Sequence, residues 1–277
     1  MKFSILTLFP EMFNGLLTSS ILGRAQKQKL IDAKLVQIRD FALDRHSTVD
    51  DASFGGGPGM VMKVDVLERA LGSLSKVEHI EKIEQKPPYV VYLSPQGEHF
   101  SQKTASRFAK LDHLVLVCGH YEGIDERFID SYIDEELSLG DFVVTGGEIP
   151  AMAVVDAVAR LLPGVIGDEK SFQADSFYNS LLDHPHYTRP AKWSPNRGIG
   201  KDSTQKQVVT PPDILLSGNH LAVDEWRRRQ SLLRTIIRRP DLLNHAGLSK
   251  VEKRLLGKLQ DALREDLEDM HKKMAKE

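Results

Sequence analysis

The fold is decided by one stretch of the sequence, Leu114-Val115-Leu116-Val117-Cys118-Gly119-His120-Tyr121-Glu122-Gly123. Its first half is a short apolar run, which is typical of a strand buried on both faces of a sheet. Its second half is a loop bounded by glycines. Ligands of open α/β sheets bind beside the carboxyl ends of parallel strands. The stretch therefore predicts an α/β fold with a candidate ligand site at the end of this strand.

The same alternation of short apolar strands and helices fills the first two thirds of the chain. Strands are predicted at Ser4 to Leu8, Leu35 to Ile38, Tyr89 to Leu93 and Leu114 to Cys118, and helices at Val64 to Leu74, Lys103 to Ala109 and Ala151 to Leu162. Apolar strands between helices favour a largely parallel sheet that is covered by helices on both faces.

A second, smaller domain is predicted beyond Pro163-Gly164, because proline cannot continue the preceding helix. We expect a first domain at residues 1–167, an interdomain linker at 168–180 and an all-helical domain at 181–277. Helical patterns in the last part run from Ala222 to Arg239 and from Lys250 to Lys273. The polar segment from Ala191 to Asp213 reads as a disordered insertion, to which we assign no function.

Composition narrows the class of protein. The 277 residues are 41% hydrophobic and 27% charged, and no apolar run is long enough to span a bilayer. The stretch from Lys2 to Phe9 is too short and too strand-like for a signal peptide, so we expect a cytoplasmic protein without a membrane partner. The single cysteine, Cys118, excludes an intramolecular disulfide and a thiolate-rich zinc site.

The net charge of −2 hides an uneven distribution, since residues from His220 onward carry 14 Lys and Arg against 10 Asp and Glu. Six arginines lie within thirteen positions: Arg227, Arg228, Arg229, Arg234, Arg238 and Arg239. Guanidinium groups match phosphate geometry, which makes RNA a candidate partner. A solvated helical face is the commoner explanation of such a cluster.

Three loops follow apolar segments: Ser94 to Gly97, Gly119 to Gly123, and Ser138 to Glu148. Glycine lets backbone approach a ligand such as adenosine closely, and three such loops in one domain favour a cofactor pocket over simple turns. The glycine signatures of dinucleotide and triphosphate sites are missing. A fourth cluster, Gly55 to Gly59, is either a surface loop or a lid that contacts RNA.

Four motifs, in this order, resemble those of bacterial tRNA (guanine-N1)-methyltransferases: Ser94-Pro95-Gln96-Gly97, Cys118 to Arg127, Gly140 to Pro150, and Leu182 to Pro190. The similarity extends from Met1 to Leu242. It implies the knotted SPOUT fold, a homodimer with active sites at the subunit interface, and tRNA as substrate. It also implies methyl transfer from S-adenosyl-L-methionine to N1 of the guanosine 3′ of the anticodon, at tRNA position 37.

The resemblance also implies the site residues. Those expected to bind the cofactor are Leu93, Ser94, Pro95, Gln96, Gly97, Gly119, Tyr121, Glu122, Gly123, Leu139, Gly140, Phe142, Val144, Gly146 and Gly147. Those expected to bind the substrate are Asp183, Ser171, Gly56, Gly57, Arg228 and Arg229. The chain departs from many relatives at His120, where arginine is common, at Phe142, where tyrosine is common, and at Ser53, where proline is common.

Two residues are expected to be catalytic. Guanine N1 carries a proton at neutral pH, so methylation there needs a base, and the resemblance assigns that role to Asp175. Loss of the proton places negative charge on guanine O6, and the resemblance assigns the stabilisation of that charge to Arg160. From the residues alone, Asp175 could equally cap a helix, and Arg160 could be a surface charge at a helix end.

No metal site is assigned from the sequence. His184 and His186 lack the helical i, i+4 spacing of zinc motifs and are interpreted as loop packing. Magnesium is implied by the resemblance alone.

Two alternatives remain open at the level of sequence. One is another SPOUT RNA methyltransferase, acting on a ribose 2′-hydroxyl or a different base. The other is a tRNA-binding protein without catalytic activity, which would explain the arginines but not the three glycine loops.

Overall fold

The computed structural model describes residues 1–76, 87–167, 175–194, 208–244, 246–259 and 261. The chain divides into two compact units, Met1–Glu169 and Lys170–Glu277. No helix among the described residues has the length and apolar character needed to cross a lipid bilayer.

The described residues of the first unit form seven strands: β1 (Lys2–Thr7), β2 (Asp32–Gln37), β3 (Asp50–Asp51), β4 (Val61–Met62), β5 (Tyr89–His99), β6 (His113–Cys118) and β7 (Glu135–Ser138). Five of them form one sheet in the order β2-β1-β6-β5-β7, with every neighbouring pair parallel. Strands β3 and β4 form a separate antiparallel hairpin. The predicted α/β fold with a mostly parallel sheet is confirmed.

Six α-helices accompany these strands in the part of the unit that the structure describes: α1 (Asn14–Thr18), α2 (Ser20–Lys27), α3 (Val64–Lys76), α4 (Gln102–Phe108), α5 (Glu126–Tyr132) and α6 (Glu148–Ala159). Short 3-10 helices lie at Pro10–Phe13 and Ile38–Phe41. Helix α6 begins three residues before the predicted Ala151, so its first turn belongs to the third glycine loop.

The core has two parts, one on each face of the sheet, because successive side chains of a strand point in opposite directions. Leu116 of β6 packs in one cluster with residues of α1, α2, α4 and α6. The next residue, Val117, packs in the other cluster with residues of α3 and α5. Both residues are fully buried, which explains why this strand is apolar throughout.

The strands differ from the sequence prediction in several places: β2 begins at Asp32 instead of Leu35, the short strands β3 and β4 were not predicted, and β5 and β7 differ most. Strand β5 does not end at Leu93 but continues to His99, and both Leu93 and Glu98 align with Leu137 of β7. The predicted loop from Ser94 to Gly97 is therefore a bulge inside the strand. Strand β7 was not predicted, since Glu135-Glu136 does not read as a buried strand; it lies at the edge of the sheet, with β5 as its neighbour.

The second unit contains α7 (His220–Arg238) and a helical stretch, α8, at residues 250–259. The Asn219 side chain caps α7 by accepting a hydrogen bond from the Ala222 amide at 3.2 Å. Short 3-10 helices lie at Asp213–Leu216 and Pro240–Asn244. The part of the predicted C-terminal helix from 262 to 273 lies outside the described residues.

The segment predicted to be an insertion is described only at its two ends, 191–194 and 208–213. There, Trp193 and Val209 form an antiparallel bridge through two backbone hydrogen bonds of 3.1 and 2.7 Å.

Candidate functional site

A cavity of about 260 Å³ lies in the first unit, at the carboxyl ends of β6 and β7 and beside the bulge of β5. This volume is close to the lower end of the roughly 300–1,000 Å³ of small-molecule pockets. The cavity lining includes these residues expected to bind the cofactor: Leu93, Ser94, Pro95, Gly119, Tyr121, Glu122, Gly123, Leu139, Phe142, Val144, Gly146 and Gly147. The structure thus brings residues of all three glycine loops to one cleft.

The cleft also has lining residues that the sequence reasoning did not select: Tyr92, His120, Leu137, Ser138, Val143, Thr145 and Pro150. Tyr92, Leu137 and Ser138 belong to strands. The expected set took only Leu93 from a predicted strand, and it omitted these three strand residues as well as the loop residues His120, Val143 and Thr145.

Three residues of the expected cofactor set do not line the cleft. A Cβ on Gly97 would overlap the β7 backbone at Glu136 and Leu137, so this glycine serves the close packing of the β5 bulge on β7. Gly140 has a φ of +147°, which favours glycine. Gln96 donates its backbone amide to the Ser94 hydroxyl at 3.1 Å, which holds the bulge.

Two cleft loops approach each other backbone to backbone. The Gly147 amide donates to the Gly119 carbonyl at 3.0 Å, and a Cβ on Gly147 would stand 2.6 Å from the Cα of Cys118. A Cβ on Gly119 would stand 2.8 Å from the Tyr92 ring. Glycine is therefore required at both positions, and the resulting cleft has Leu93, Leu137 and Leu139 among its lining residues.

A buried polar network stabilises the end of the third glycine loop, at Glu148. Glu148 is only 1% exposed, and its Oε2 lies 2.7 Å from Nε2 of His120. Its Oε1 accepts a hydrogen bond of 2.6 Å from the Thr7 hydroxyl, which itself accepts one from the Phe9 amide at 2.9 Å. The network satisfies a carboxylate that would be costly to bury alone, and it links the cleft to the end of β1.

Tyr92, which lines the cleft, and Cys118, which precedes the cleft residue Gly119, stay neutral. Burial raises the pKa of Tyr92 to about 12, with the charge of Glu136 adding to the effect. Burial also raises the pKa of the Cys118 thiol well above its ordinary value. A thiol in this state is not a nucleophile, so Cys118 has a packing role.

The fourth glycine cluster lies in the loop between β3 and β4. Gly56 and Gly57 have φ values of +77° and +126° and are exposed. The base of this loop is fixed to the cleft: the Glu122 amide donates to the Met60 carbonyl, and the Met62 amide donates to the Gly123 carbonyl, both at 3.0 Å. The loop therefore borders the cleft without lining it.

Arg160 also belongs to the first unit. It caps the C-terminal end of α6, where its amide donates to the Asp156 carbonyl at 3.2 Å, and its side chain is partly buried.

A second cavity, of about 280 Å³, lies in the second unit. Its lining includes Asp175, Asp183 and Arg228, which were selected from the sequence for the target base and the RNA. Arg229 is exposed and does not line it. Ser171, expected to bind substrate, lies outside the described residues.

Two imidazoles hold the Asp183 carboxylate. Its Oδ1 lies 2.7 Å from Nδ1 of His184, and its Oδ2 lies 2.7 Å from Nε2 of His186. Burial pushes the pKa of Asp183 up, but hydrogen bonds from His186 and the His184 amide bring it below its ordinary value. Burial also lowers the pKa of His184, against the charge of Asp183. The interpretation of these histidines as loop packing missed that both converge on one carboxylate.

Most of the clustered arginines have partners within the second unit. Arg228 pairs with Glu252 of α8; burial raises the pKa of Glu252, but the hydrogen bond from Arg228 outweighs it and lowers that pKa to about 2. Arg227 pairs with Asp224, and Arg239 pairs with Asp241. Arg229 and Arg238 are exposed, and neither has an acidic partner among the described residues.

Comparison with known proteins assigns the chain to a family. A family model described as tRNA (Guanine-1)-methyltransferase TrmD matches residues 1–245. A tRNA (guanine-N(1)-)-methyltransferase of Magnetococcus marinus is 58% identical over 273 residues, which cover 99% of this chain and 100% of the relative. Enzymes of the same name from Pelotomaculum thermopropionicum and Carboxydothermus hydrogenoformans are each 50% identical, over 96% and 92% of this chain and 98% and 92% of their own lengths. The chain therefore belongs to the tRNA (guanine-1)-methyltransferase TrmD family, which is a family of enzymes in the SPOUT class.

Proposed function

We propose that this enzyme methylates N1 of the guanosine on the 3′ side of the tRNA anticodon, with S-adenosyl-L-methionine as the methyl donor. The observation that carries the proposal is the cleft of the first unit, where Gly119 and Gly147 have no space for a side chain. The methyl donor supplies an electrophilic methyl group on a sulfonium. The three glycine loops hold its adenosine part through backbone contacts and exclude water from it.

The second unit supplies the groups that handle the guanine. Asp175 and Asp183 line one cavity, and the low pKa of Asp183 keeps that carboxylate ionised near neutral pH. In the proposed reaction Asp175 accepts the N1 proton, while Asp183 and Ser171 hold the base. Arg160 stabilises the negative charge that develops on guanine O6, which lowers the barrier more than it strengthens ground-state binding.

The tRNA is held outside this centre. We assign its backbone contacts to the exposed loop of Gly56 and Gly57 and to the arginine-rich helix, through Arg228 and Arg229. Arg229 is the better placed of the two, because Arg228 is already paired with Glu252.

We further propose that the chain works as a homodimer in the cytoplasm. Residues 1–167 would form the knotted domain that binds the methyl donor, 168–180 the linker, and 181–277 the helical domain that binds tRNA. In this arrangement the cleft of one subunit works with Asp175 of the other. Magnesium is expected in the reaction by family resemblance, without an assigned site.

The activity is tested by incubating the protein with unmodified tRNA and S-adenosyl-L-methionine, followed by mass-spectrometric mapping of the nucleosides. One N1-methylguanosine next to the anticodon is expected, and Asp175→Asn, which keeps the side-chain shape but cannot take the proton, should form hardly any. Methyl on a ribose hydroxyl or on another base would support a different SPOUT methyltransferase. Failure to bind S-adenosyl-L-methionine in calorimetry would support a non-catalytic tRNA-binding protein.

The shared active site is tested with a mixed dimer. One subunit carries Asp175→Asn and the other Gly146→Val, each with its own tag, so that the mixed dimer can be purified. One site then has both defects and the other has neither, and up to about half of the wild-type activity should return if the sites are independent. An inactive but correctly assembled mixed dimer would place Asp175 and the cleft in the same subunit.

A further inference from the structure

Three side chains of the second unit place potential metal ligands close together. The Asp183 carboxylate, the His184 Nδ1 and the His186 Nε2 all lie within 4.8 Å of one another. The two imidazole rings are 4.5 Å apart, with the carboxylate between their nitrogens. We propose that Asp183, His184 and His186 form a binding site for a divalent transition-metal ion such as zinc.

The donor set defines the class of metal. Two imidazole nitrogens and one carboxylate oxygen suit zinc, cobalt or nickel, whereas magnesium and calcium prefer ligand sets made of oxygen atoms. The site is therefore not where the magnesium expected from the family would bind. Three protein ligands leave one coordination position open, as in zinc sites that keep a water molecule or an exogenous ligand.

The backbone that carries the ligands is fixed without a metal. The Asp183 amide donates to the Ser176 hydroxyl at 2.9 Å. The Leu182 amide donates to the hydroxyl of Thr235 on α7, also at 2.9 Å, and Thr235 is fully buried. A metal ion that binds here has little chain to order, which reduces the entropic cost of binding.

One side of the cluster is open. The side chains of Asp183 and His184 are 22% and 15% exposed, whereas that of His186 is 69% exposed. His184 and His186 also line a cavity of about 450 Å³ together with Arg189 and Arg227. These two guanidinium groups weaken the binding of any cation here, and they favour a small anion, such as chloride, as the fourth ligand of the metal ion.

The site has a consequence for catalysis that rests on the proposed function. If Asp183 holds the target guanine, a metal ion on the same carboxylate removes it from the base. Zinc then inhibits methyl transfer in competition with tRNA, and a chelator restores the activity.

The site itself is tested without either substrate. Untagged, metal-free full-length protein is dialysed against zinc chloride, and the bound zinc is measured by elemental analysis. His184→Ala and His186→Ala should each bind one equivalent less than wild type. The matched control is His220→Ala, an exposed histidine at the start of α7, which should bind as much as wild type. X-ray absorption of the zinc-loaded protein should show nitrogen and oxygen ligands at about 2.0–2.2 Å.

Thermal unfolding separates loss of the site from loss of the fold. His186 is mostly exposed, so His186→Ala should unfold at the wild-type temperature. Equal zinc in wild type and in this folded variant, or no zinc in wild type, would overturn the proposal. If zinc binds as expected but does not inhibit methylation, the inhibitory role is wrong and the site stands. Because zinc binding is measured without tRNA or methyl donor, its failure leaves the proposed methyl transfer untouched.

Discussion

Gly146→Ala should destabilise the protein and weaken binding of the methyl donor, although it adds only one methyl group. A Cβ at this position would stand 2.5 Å from Nε2 of His120 and 2.8 Å from Oε2 of Glu148. The imidazole must therefore move by about 1 Å to restore van der Waals contact. That movement breaks the 2.7 Å hydrogen bond between His120 and Glu148 and pushes the ring into the cleft.

The magnitude follows from the burial of Glu148, whose side chain is 2% exposed. A buried acceptor that loses a hydrogen-bond partner costs about 1–3 kcal/mol, and more when it is charged. The Thr7 hydroxyl remains bonded to Glu148, so we expect about 3 kcal/mol. For a chain of this size that loss lowers the Tm by about 6–12 °C.

Calorimetry measures both effects, through thermal unfolding and through titration with S-adenosyl-L-methionine. Gly72→Ala is the matched control, since it lies within α3, has nothing within 4 Å of its added Cβ, and should gain up to about 1 kcal/mol of stability. In a His120→Ala background only the 2.8 Å contact with Oε2 of Glu148 remains, so Gly146→Ala should cost clearly less there than in the wild type. An equal cost in both backgrounds would refute the assignment of the strain to His120.

Three further measurements follow from the structure. Arg160→Ala should lower the single-turnover rate of methylation by about 10²–10³-fold while the affinity for the methyl donor is unchanged, since the arginine is proposed to face guanine O6; a near wild-type rate would refute that role. Arg229→Ala should reduce the slope of log tRNA affinity against log salt by about one, and Arg228→Ala by less, because Arg228 is paired with Glu252; equal slopes in all three proteins would move the RNA surface elsewhere. The pKa of Glu252 is lowered from 4.5 to about 2, so its pairing stabilises the fold fully above pH 4.5 and is lost as the pH falls towards 2. Glu252→Gln should accordingly cost about 1 kcal/mol or less at pH 7 and nothing near pH 2, as followed by urea unfolding.

The sequence predicted the sheet because its central strands are apolar on both faces, as Leu116 and Val117 show. The prediction failed for β7 because Glu135 and Glu136 do not fit the pattern of an apolar strand. The Glu135 side chain is nevertheless only 14% exposed and pairs with Arg107 at 2.7 Å. That strand is recognisable only through its pairing with β5, and pairing between distant segments has no local signal. The predicted end of β5 was wrong for a related reason, because the bulge after Leu93 is determined by the pairing of β5 with β7.

The part of the candidate site that the sequence predicted is the part formed by the glycine-containing loops. Gly119, which follows β6, and Gly147, which precedes α6, mark the cleft because each has no space for a side chain. The contact between His120 and Glu148 joins residues that are 28 positions apart, so neither residue predicts the other in the sequence. The grouping around Asp183 was overlooked because metal ligands were sought at helical spacing, whereas an irregular loop folds its own ligands together.

The place of β1 within the sheet has a consequence for how the chain folds. Residues 2–7 pair on one side with β2 and on the other with β6, so that Lys2 aligns with His113. During synthesis at about 5–20 residues per second, Phe3 and Ile5 wait on the order of ten seconds for their second neighbour to leave the ribosome. Contacts between such distant segments slow folding, and an apolar strand with one unpaired edge is prone to aggregate meanwhile. The yield of folded enzyme should therefore depend on the rate of translation and on chaperones more strongly than on substitutions in the second unit.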